Sequence, residues 1–220
     1  FQYVSPGSPT MKEGIFITME GPEGGGKSSC VSFIDGWFSA FGKEVVRTRE
    51  PGGTPLAEKI RELLLAPSDE DMCPDAELLL AFASRAQHVD KVVKPALQAG
   101  KIVVCDRFVD SSYAYQGAGR GFPVADIKTL EKLTLRGLKP DLTLILDLPI
   151  EVGMLRAVAR AKLDRFESET VAFFERIRQS FLDRAKKDKE RYVIIDAAGS
   201  LENTKAQIGV VLERKFLNDC

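Results

Sequence analysis

Residues 21–28 read Gly-Pro-Glu-Gly-Gly-Gly-Lys-Ser, a complete match to the pattern G-x-x-x-x-G-K-[ST]. An apolar segment, residues 14–19, precedes this stretch, and an amphipathic segment, residues 30–41, follows it. A strand, a glycine-rich turn and a helix in this order are the setting in which such a stretch binds phosphate. Backbone N–H groups at the turn and at the start of the helix then converge on one anion. The motif predicts a nucleoside triphosphate site but does not identify a reaction.

The side chains of this stretch have separate predicted roles. Lys27 places a point charge near the β- and γ-phosphates of a nucleotide, and Ser28 provides a hydroxyl ligand for Mg²⁺. Consecutive glycines leave room for phosphate oxygens against bare backbone. The positions expected to contact the nucleotide are Gly21, Glu23, Gly24, Gly25, Gly26, Lys27, Ser28 and Ser29.

The composition is ordinary for one globular domain. The 220 residues are 44% hydrophobic and 29% charged, with a formal net charge of −1, so no broad basic field favours nucleic acid as a partner. We find neither a signal peptide nor an apolar run of the about 18 residues that a membrane span needs, and therefore expect a cytoplasmic protein. We expect residues 1–10 to be a leader left over in front of a native start at Met11, and residues 11–220 to form one domain.

Cysteine and histidine usage narrows the possible chemistry. Cys30, Cys73, Cys105 and Cys220 show no C-x-x-C spacing, which favours reduced thiols over disulfides or a zinc site. His88 is the only histidine, so sites with several histidine ligands are excluded. A Ser-His-Asp hydrolase would depend on His88 alone, and nothing near it in the sequence indicates one.

Short apolar runs alternate with helical patterns along the chain. The predicted strands are residues 15–19, 44–48, 102–105, 142–148 and 192–195. The predicted helices lie near residues 28–41, 55–65, 75–99, 124–136, 150–160, 168–187 and 201–217. Because the runs show little polar alternation, both faces of the strands should be covered. The pattern predicts a three-layer α/β fold of the P-loop type, with a five-stranded parallel sheet flanked by helices on both faces.

Polar and glycine-rich segments follow each predicted strand, and the carboxyl ends of parallel strands are where ligands collect. These segments are residues 21–29, 49–54, 106–108, 147 with 156–165, and 196–199. The third begins with Asp106, a second candidate Mg²⁺ ligand, although an aspartate here is equally typical of a turn or a helix cap. Arg107 favours the functional interpretation, since a guanidinium beside that carboxylate would hold a second phosphate.

Taken together, these segments resemble the thymidylate kinase family of P-loop nucleoside monophosphate kinases, in its bacterial form with lid arginines. The matching pieces run in family order and are residues 21–29, 48–54, 84–88, 106–117 and 163–167. The piece at 106–117 is the most specific, because it separates thymidylate kinases from adenylate and guanylate kinases. The resemblance implies that a homodimer transfers the γ-phosphate of ATP to dTMP, giving ADP and dTDP, with Mg²⁺ required.

The resemblance also assigns substrate contacts position by position. Glu23 matches the acidic residue that faces the deoxyribose 3′-hydroxyl, and Arg61 and Arg107 match residues that grip the dTMP phosphate. The positions that match the thymine-reading residues are Arg85, Ser112 and Gln116, and Glu50 and Pro51 complete the substrate set. Arginine and glutamine side chains have the donors and acceptors that a pyrimidine edge requires.

Two features of this set stay open in the sequence. The Glu50–Pro51 bond is a candidate for the cis form, but the segment is a good turn whatever its function. Family members commonly place a thymine-stacking aromatic four residues before the equivalent of Arg85, and here that position is Ala81. Phe82, one residue later, either stacks on the base or belongs to the core.

A basic segment, residues 153–167, resembles the mobile lid of the family. Arg156 and Arg160 are four residues apart, so one helical face would present both to the phosphates. Val158 occupies a position that is often basic in relatives, which leaves the number of active lid arginines open. The predicted catalytic cations are Lys27, Arg107, Arg156 and Arg160, acting with Mg²⁺.

Two other functions remain in competition at this point. A different small-molecule kinase on the same scaffold, such as a deoxynucleoside kinase, would share most of these features. A nucleotide-dependent switch is less well supported, because the guanine-reading Asn-Lys-x-Asp pattern is absent from the sequence. The sequence does not determine how strongly dTMP is preferred over dUMP.

Overall fold

The computed structural model describes residues 14–67, 69–158, 166 and 169–217, with only the backbone of 157 and 158. The strands are β1 (Phe16–Glu20), β2 (Val45–Arg49), β3 (Ile102–Asp106), β4 (Leu142–Asp147) and β5 (Tyr192–Asp196). All neighbouring strands pair in parallel, in the order β2-β3-β1-β4-β5. The predicted five-stranded parallel sheet is confirmed.

The helices cover both faces of this sheet. They are α1 (Lys27–Ala40), α2 (Pro55–Leu65), α3 (Pro74–His88), α4 (Lys94–Gln98), α5 (Val109–Ser112), α6 (Val124–Leu135), α7 (Ile150–Val158), α8 (Val171–Lys187) and α9 (Leu201–Phe216). Two π-helical segments, Val89–Val93 and Tyr113–Gly119, join α3 to α4 and extend α5. The predicted helix at 75–99 is therefore three consecutive elements.

The other boundaries differ from the predicted ones by a few residues, with one omission. Helix α8 begins at Val171 rather than near 168, because the Thr170 hydroxyl accepts from Phe173 N–H and caps the helix. The helical region from Val109 to Gly119 was not predicted, since its glycines and serines hide any 3.6-residue pattern. The end of the predicted helix at 150–160 lies outside the described residues.

Strand β1 is central and buried along its whole length. Its side chains alternate between two faces, as the period of a strand requires. Ile17 and Met19 pack with α1 and α9 on one face, and Phe16 packs with α3 and α6 on the other. The core therefore fixes β1 from both sides, and the segment after Glu20 emerges at the carboxyl edge of the sheet.

Three of the four cysteines lie in the described residues. Cys30 and Cys105 are buried and Cys73 is exposed, and all three are free. Cys220 and residues 1–10 lie outside the described ranges. No helix in the described part of the chain joins the length and apolar character that crossing a bilayer requires.

Candidate active site

The glycine-rich stretch forms the turn between β1 and α1, as predicted. Gly24 and Gly26 adopt φ values of +78° and +80°, which strongly favour glycine. A Cβ at Gly24 would lie 2.4 Å from the carbonyl oxygen of Gly153 on α7, and one at Gly153 would lie 2.6 Å from that of Glu23. The turn and α7 are therefore packed backbone against backbone, which leaves no room for a side chain at position 24.

Lys27 begins α1 and is buried. Its ammonium donates to the carbonyl oxygens of Gly21 (3.2 Å) and Pro22 (2.8 Å), so it lies folded over the turn. Burial lowers the pKa of Lys27, and the nearby charge of Arg107 lowers it further. The turn thus holds the Lys27 ammonium by two of its own carbonyl oxygens.

Ser28 and Asp106 fit the predicted magnesium site. Ser28 Oγ lies 3.5 Å from Asp106 Oδ2. Asp106 Oδ1 is buried and has no hydrogen-bond partner among the described residues. An unsatisfied buried carboxylate oxygen is unfavourable unless a cation or donor completes it. A hydroxyl beside such an oxygen is the kind of donor set that Mg²⁺ takes, with water and nucleotide oxygens filling the other positions.

Arg107 faces the turn from the end of β3. Its guanidinium pairs with Glu23 and donates to the Gly21 carbonyl oxygen (3.1 Å) and Ser111 Oγ (3.3 Å). Burial opposes the ionised form of Glu23, but the charges of Arg107 and Lys27 outweigh it and lower the pKa of Glu23 to about 2. Glu23 is therefore ionised throughout the physiological pH range, and the charges of Arg107 and Lys27 stabilise its carboxylate.

A single cavity of about 410 Å³ opens beside these groups. Lys27 and Arg107 both line it, so the two predicted phosphate-holding cations share one space. The other predicted site residues that line it are Glu23, Gly24, Gly26, Ser28, Glu50, Pro51, Arg61, Arg85, Asp106, Ser112 and Gln116. Gly21, Gly25 and Ser29 are not among the lining residues and shape the turn and the start of α1 instead.

The far wall of the cavity is a buried hydrogen-bond network around Arg85. Glu50 accepts from Arg85 Nε (2.6 Å), and its other oxygen lies 2.8 Å from His88 Nδ1. Arg85 also donates to Ser112 Oγ (2.9 Å) and the Phe108 carbonyl oxygen (3.1 Å). The Glu50–Pro51 bond, which the sequence left open, is cis. Each of the three nitrogens of this guanidinium thus makes one hydrogen bond that fixes its direction before a ligand binds.

Two further lining residues are oriented by neighbours. Gln116 Nε2 donates to Glu77 Oε1 at 2.9 Å, and Glu77 is 1% exposed. Because a carboxylate only accepts, this bond fixes which end of the Gln116 amide faces the cavity. Arg61 donates to the Pro51 carbonyl oxygen at 2.8 Å, which holds its side chain at the cavity entrance.

Phe82, the stacking candidate, is buried in the core. It does not line the cavity, is 2% exposed and packs in the cluster between the sheet, α3 and α6. Its ring supports the guanidinium of Arg85, 4.7 Å from the ring centroid. Ala81, at the position before it, lines the cavity instead. Neighbouring helical residues point in directions about 100° apart, so one position decides between core and site.

Arg156 does not line the cavity, but its guanidinium lies 3.5 Å from the carbonyl oxygen of Gly24 in the phosphate-binding turn. Its guanidinium donates to the carbonyl oxygens of residues 197 (2.8 Å), 198 (2.8 Å) and 199 (3.0 Å), in the loop after β5. Its action on the phosphates stays a prediction. Arg160 and most of the predicted lid lie outside the described residues. Phe166 is described, and it lines the cavity against the edge of Tyr115.

Sequence reasoning missed three groups around Arg107. Tyr115 donates to Glu23 (3.4 Å) and places its ring 5.1 Å from the Arg107 guanidinium carbon. Ser111 contacts Arg107, and Glu20 accepts from the Ser111 hydroxyl. The only signal in the sequence is a glutamate at the end of a predicted strand that is otherwise largely apolar.

A buried anion site that faces a wall of arginines across one cavity is the arrangement of a P-loop nucleotide kinase. The thymidylate kinase family model matches residues 19–208. The chain therefore belongs to the thymidylate kinase family.

Relatives of this chain extend over nearly its whole length. A thymidylate kinase of Pseudomonas putida (strain GB-1) is 57% identical over 199 residues, covering 90% of this chain and 95% of the relative. One of Pseudomonas fluorescens (strain SBW25) is 56% identical over the same shares. The crystal structure of thymidylate kinase from Ehrlichia chaffeensis is similar at a TM-score of 0.73 and 33% identity, covering 90% of this chain and 98% of that one.

The contact between Gly24 and Gly153 can be tested directly. We expect Gly153→Ala to weaken ATP binding about tenfold, because its Cβ would push the Glu23 carbonyl and displace the turn. Isothermal titration calorimetry with ATP measures this. Gly36→Ala in α1 is the matched control, since a Cβ there meets nothing within 4 Å. Equal affinities for both variants would contradict the positioning of the turn by α7.

Stability should depend on pH through Glu20. Burial, and then the charge of Asp110, raise the pKa of Glu20 from 4.5 to about 7. The folded protein then binds this proton more tightly than the unfolded chain, so the contribution to stability is complete below pH 4.5 and is lost as pH rises through 7. Relative to Glu20→Gln, the wild type should lose roughly 2–4 kcal/mol of unfolding free energy across this window. Urea denaturation of both proteins measures it, and parallel pH profiles would contradict the assignment.

Proposed function

We propose that this protein is a thymidylate kinase that transfers the γ-phosphate of ATP to dTMP, forming ADP and dTDP, and requires Mg²⁺. The observation that carries the proposal is that Lys27 and Arg107 line one cavity in a chain of the thymidylate kinase family. Phosphoryl transfer needs two phosphates in line and their charge neutralised, with little covalent participation by the protein. Two cations that line one cavity meet that requirement.

The donor nucleotide is assigned to the glycine-rich turn. The amides of the turn and Lys27 receive the β- and γ-phosphates of ATP, replacing the carbonyl contacts that Lys27 makes without ligand. Ser28 and Asp106 would hold Mg²⁺, since Asp106 Oδ1 lacks a hydrogen-bond partner within the described part of the chain. When bound, the ion neutralises charge that develops on the phosphate oxygens.

The acceptor dTMP is assigned to the arginine side of the cavity. Arg107 and Arg61 hold its phosphate, and the ionised Glu23 accepts a hydrogen bond from the 3′-hydroxyl of the sugar. The phosphate of dTMP is largely ionised near neutral pH, since the second pKa of a phosphate monoester is about 6. No separate general base is needed, and the arrangement acts by position and charge.

The base is assigned to Arg85, Ser112 and Gln116. Because Gln116 donates its amide nitrogen to Glu77, its carbonyl oxygen remains to accept an N–H of the base. Arg85 and Ser112 supply donors for a ring carbonyl, from positions fixed by Glu50. This pattern of acceptor and donor matches a pyrimidine that has a ring N–H beside a carbonyl.

We propose that the protein forms a homodimer in the cytoplasm. A groove of about 540 Å³ separates α3 from α6, and Leu79 and Leu133 beside it are 57% and 65% exposed. Exposed leucines along one groove favour coverage by a partner surface. The free thiols of Cys30, Cys73 and Cys105 and the proposed use of free nucleotides fit a reducing compartment.

The activity is tested by ATP-dependent formation of dTDP, followed by chromatography, with dUMP, dCMP and thymidine as competing acceptors. We expect dTMP to be the preferred acceptor and Arg107→Ala to lower kcat about 1,000-fold, because an arginine on the transferred phosphate has effects of about 10³–10⁵. Arg47→Ala, an exposed arginine of β2, is the matched control and should keep wild-type rates. Preference for thymidine would indicate a deoxynucleoside kinase, and nucleotide binding without transfer would indicate a switch.

The dimer is tested by sedimentation velocity. We expect Leu133→Asp to shift the protein from dimer to monomer, because the carboxylate would be desolvated in the covered groove. Val210→Asp on α9, 58% exposed in the described structure, should remain dimeric. A wild-type protein that sediments as a monomer at all concentrations would overturn this part of the proposal.

A further inference from the structure

Glu20 is a fully buried carboxylate outside the cavity wall. It is the last residue of β1, and its side chain emerges on the same face of the strand as Phe16 and Thr18. It does not line the cavity and directly precedes Gly21 of the phosphate-binding turn. The mechanism above gives it no role.

Within the described residues, the hydrogen bonds that the Glu20 carboxylate accepts come from the segment just after Arg107. Glu20 Oε1 accepts from Phe108 N–H (2.8 Å) and Ser111 N–H (3.3 Å). Glu20 Oε2 accepts from Ser111 Oγ–H (2.7 Å). One carboxylate therefore fastens the backbone on the carboxyl side of Arg107 and the start of α5.

The backbone of Arg107 needs such fastening. Its φ of +68° lies in the left-handed region, which is unfavourable for a residue with a Cβ. Such a conformation persists only where its surroundings impose it. The Arg107 N–H donates to the Met19 carbonyl oxygen at 2.8 Å, and the next N–H, that of Phe108, donates to Glu20. β1 thus holds Arg107 from both sides.

The side chain of Arg107 is connected to Glu20 as well. Ser111 Oγ accepts from the Arg107 guanidinium at 3.3 Å while it donates its own proton to Glu20. An ionised carboxylate can only accept, so it fixes the direction of the Ser111 hydroxyl and presents a lone pair to Arg107. Glu20 therefore controls both the backbone and the side chain of the proposed phosphate-holding arginine.

We propose that Glu20 is a positioning residue for phosphoryl transfer, acting by holding Arg107 in its left-handed conformation and its guanidinium in the cavity. This inference rests on the proposed function, since it assigns the phosphate of the acceptor to Arg107. It adds a group that never touches substrate and lies one residue before the phosphate-binding turn. The carboxyl end of β1 thereby positions both the phosphate-binding turn, assigned to the donor, and Arg107, assigned to the acceptor.

A purely structural role fits Glu20 poorly. Burial and the neighbouring Asp110 oppose its ionised form, while Arg107 favours it and Lys27 is also nearby. A buried carboxylate of this kind is weak support for stability, and a neutral side chain of similar shape is often as stable. The described hydrogen bonds of its carboxylate go to Phe108 and Ser111, in the segment just after Arg107. A neutral substitution of Glu20 is therefore expected to lower activity while leaving stability unchanged.

The test compares Glu20→Gln in two backgrounds, with the glutamine keeping one acceptor oxygen. We expect E20Q to lower kcat about 10–100-fold and to raise KM for dTMP, with KM for ATP unchanged, because Arg107 is assigned to the phosphate of the acceptor. In an Arg107→Ala background, E20Q should cause no further loss, since its effect runs through Arg107. Equal losses in both backgrounds, or wild-type kinetics for E20Q, would overturn the proposal.

Thr18→Val is the matched control in the same strand. It removes the buried Thr18–Thr143 hydrogen bond (2.8 Å) without touching the loop after β3. We expect T18V to lower the urea midpoint and to retain wild-type kcat and KM. E20Q should show the opposite pattern above pH 7, with a retained midpoint and a lost rate. If T18V shows the same kinetic loss as E20Q, the effect belongs to the strand and the proposal fails.

A crystal structure of E20Q without ligand reads the positioning directly. Loss of the positive φ of Arg107, or of its contact with Ser111, would support the proposal, and an unchanged Arg107 would overturn it. This measurement also distinguishes a failure of the proposed function from a failure of the proposed role of Glu20. A wild-type protein inactive on dTMP would overturn the proposed function, whereas the conformation of Arg107 in the variant decides the role of Glu20 without turnover.

Discussion

The pairing of β1 with β3 is the constraint on which the site depends. Met19 lies opposite Asp106 in the parallel register, so the phosphate-binding turn and the Asp106–Arg107 segment leave the sheet side by side. A slip of one residue would move every side chain of β3 to the other face. The large apolar residues on both faces of β1 fix that register. The position of the chemistry is therefore a consequence of core packing.

Charges around the cavity are arranged in pairs that leave few groups free to move. Asp110 is fully buried and accepts from Arg184 (2.5 Å) and Tyr192 (2.6 Å), and it also pairs with Arg191. These contacts tie α5, which follows β3, to α8 and to the start of β5. Removing one member of such a buried pair would leave an uncompensated charge. Asp110 thus fixes α5, the helix just after Arg107, through contacts with two other elements.

Sequence patterns were sufficient for the sheet, the phosphate-binding turn and most of the cavity wall. Apolar runs and strand ends are local signals, and they place Lys27, Asp106 and Arg107 correctly without coordinates. The burial of Phe82 and the carbonyl partners of Arg156 could not be predicted, because helix phase and long-range contacts depend on tertiary packing. Glu20 was missed for the same reason, since its partners are 88 to 91 residues away in the chain. Long-range hydrogen bonds leave no periodic trace in a sequence.

The burial of His88 has a practical consequence. It is the sole histidine of the chain, its ring is fully enclosed, and both nitrogens are engaged, Nδ1 with Glu50 and Nε2 with Thr48 Oγ1 at 2.7 Å. Glu50, the partner of Nδ1, also accepts a hydrogen bond from Arg85 on the cavity wall. A single imidazole in this position gives one unambiguous set of nuclear magnetic resonance signals. The molecule therefore carries its own spectroscopic reporter for events on the base-recognition side, with no label to introduce.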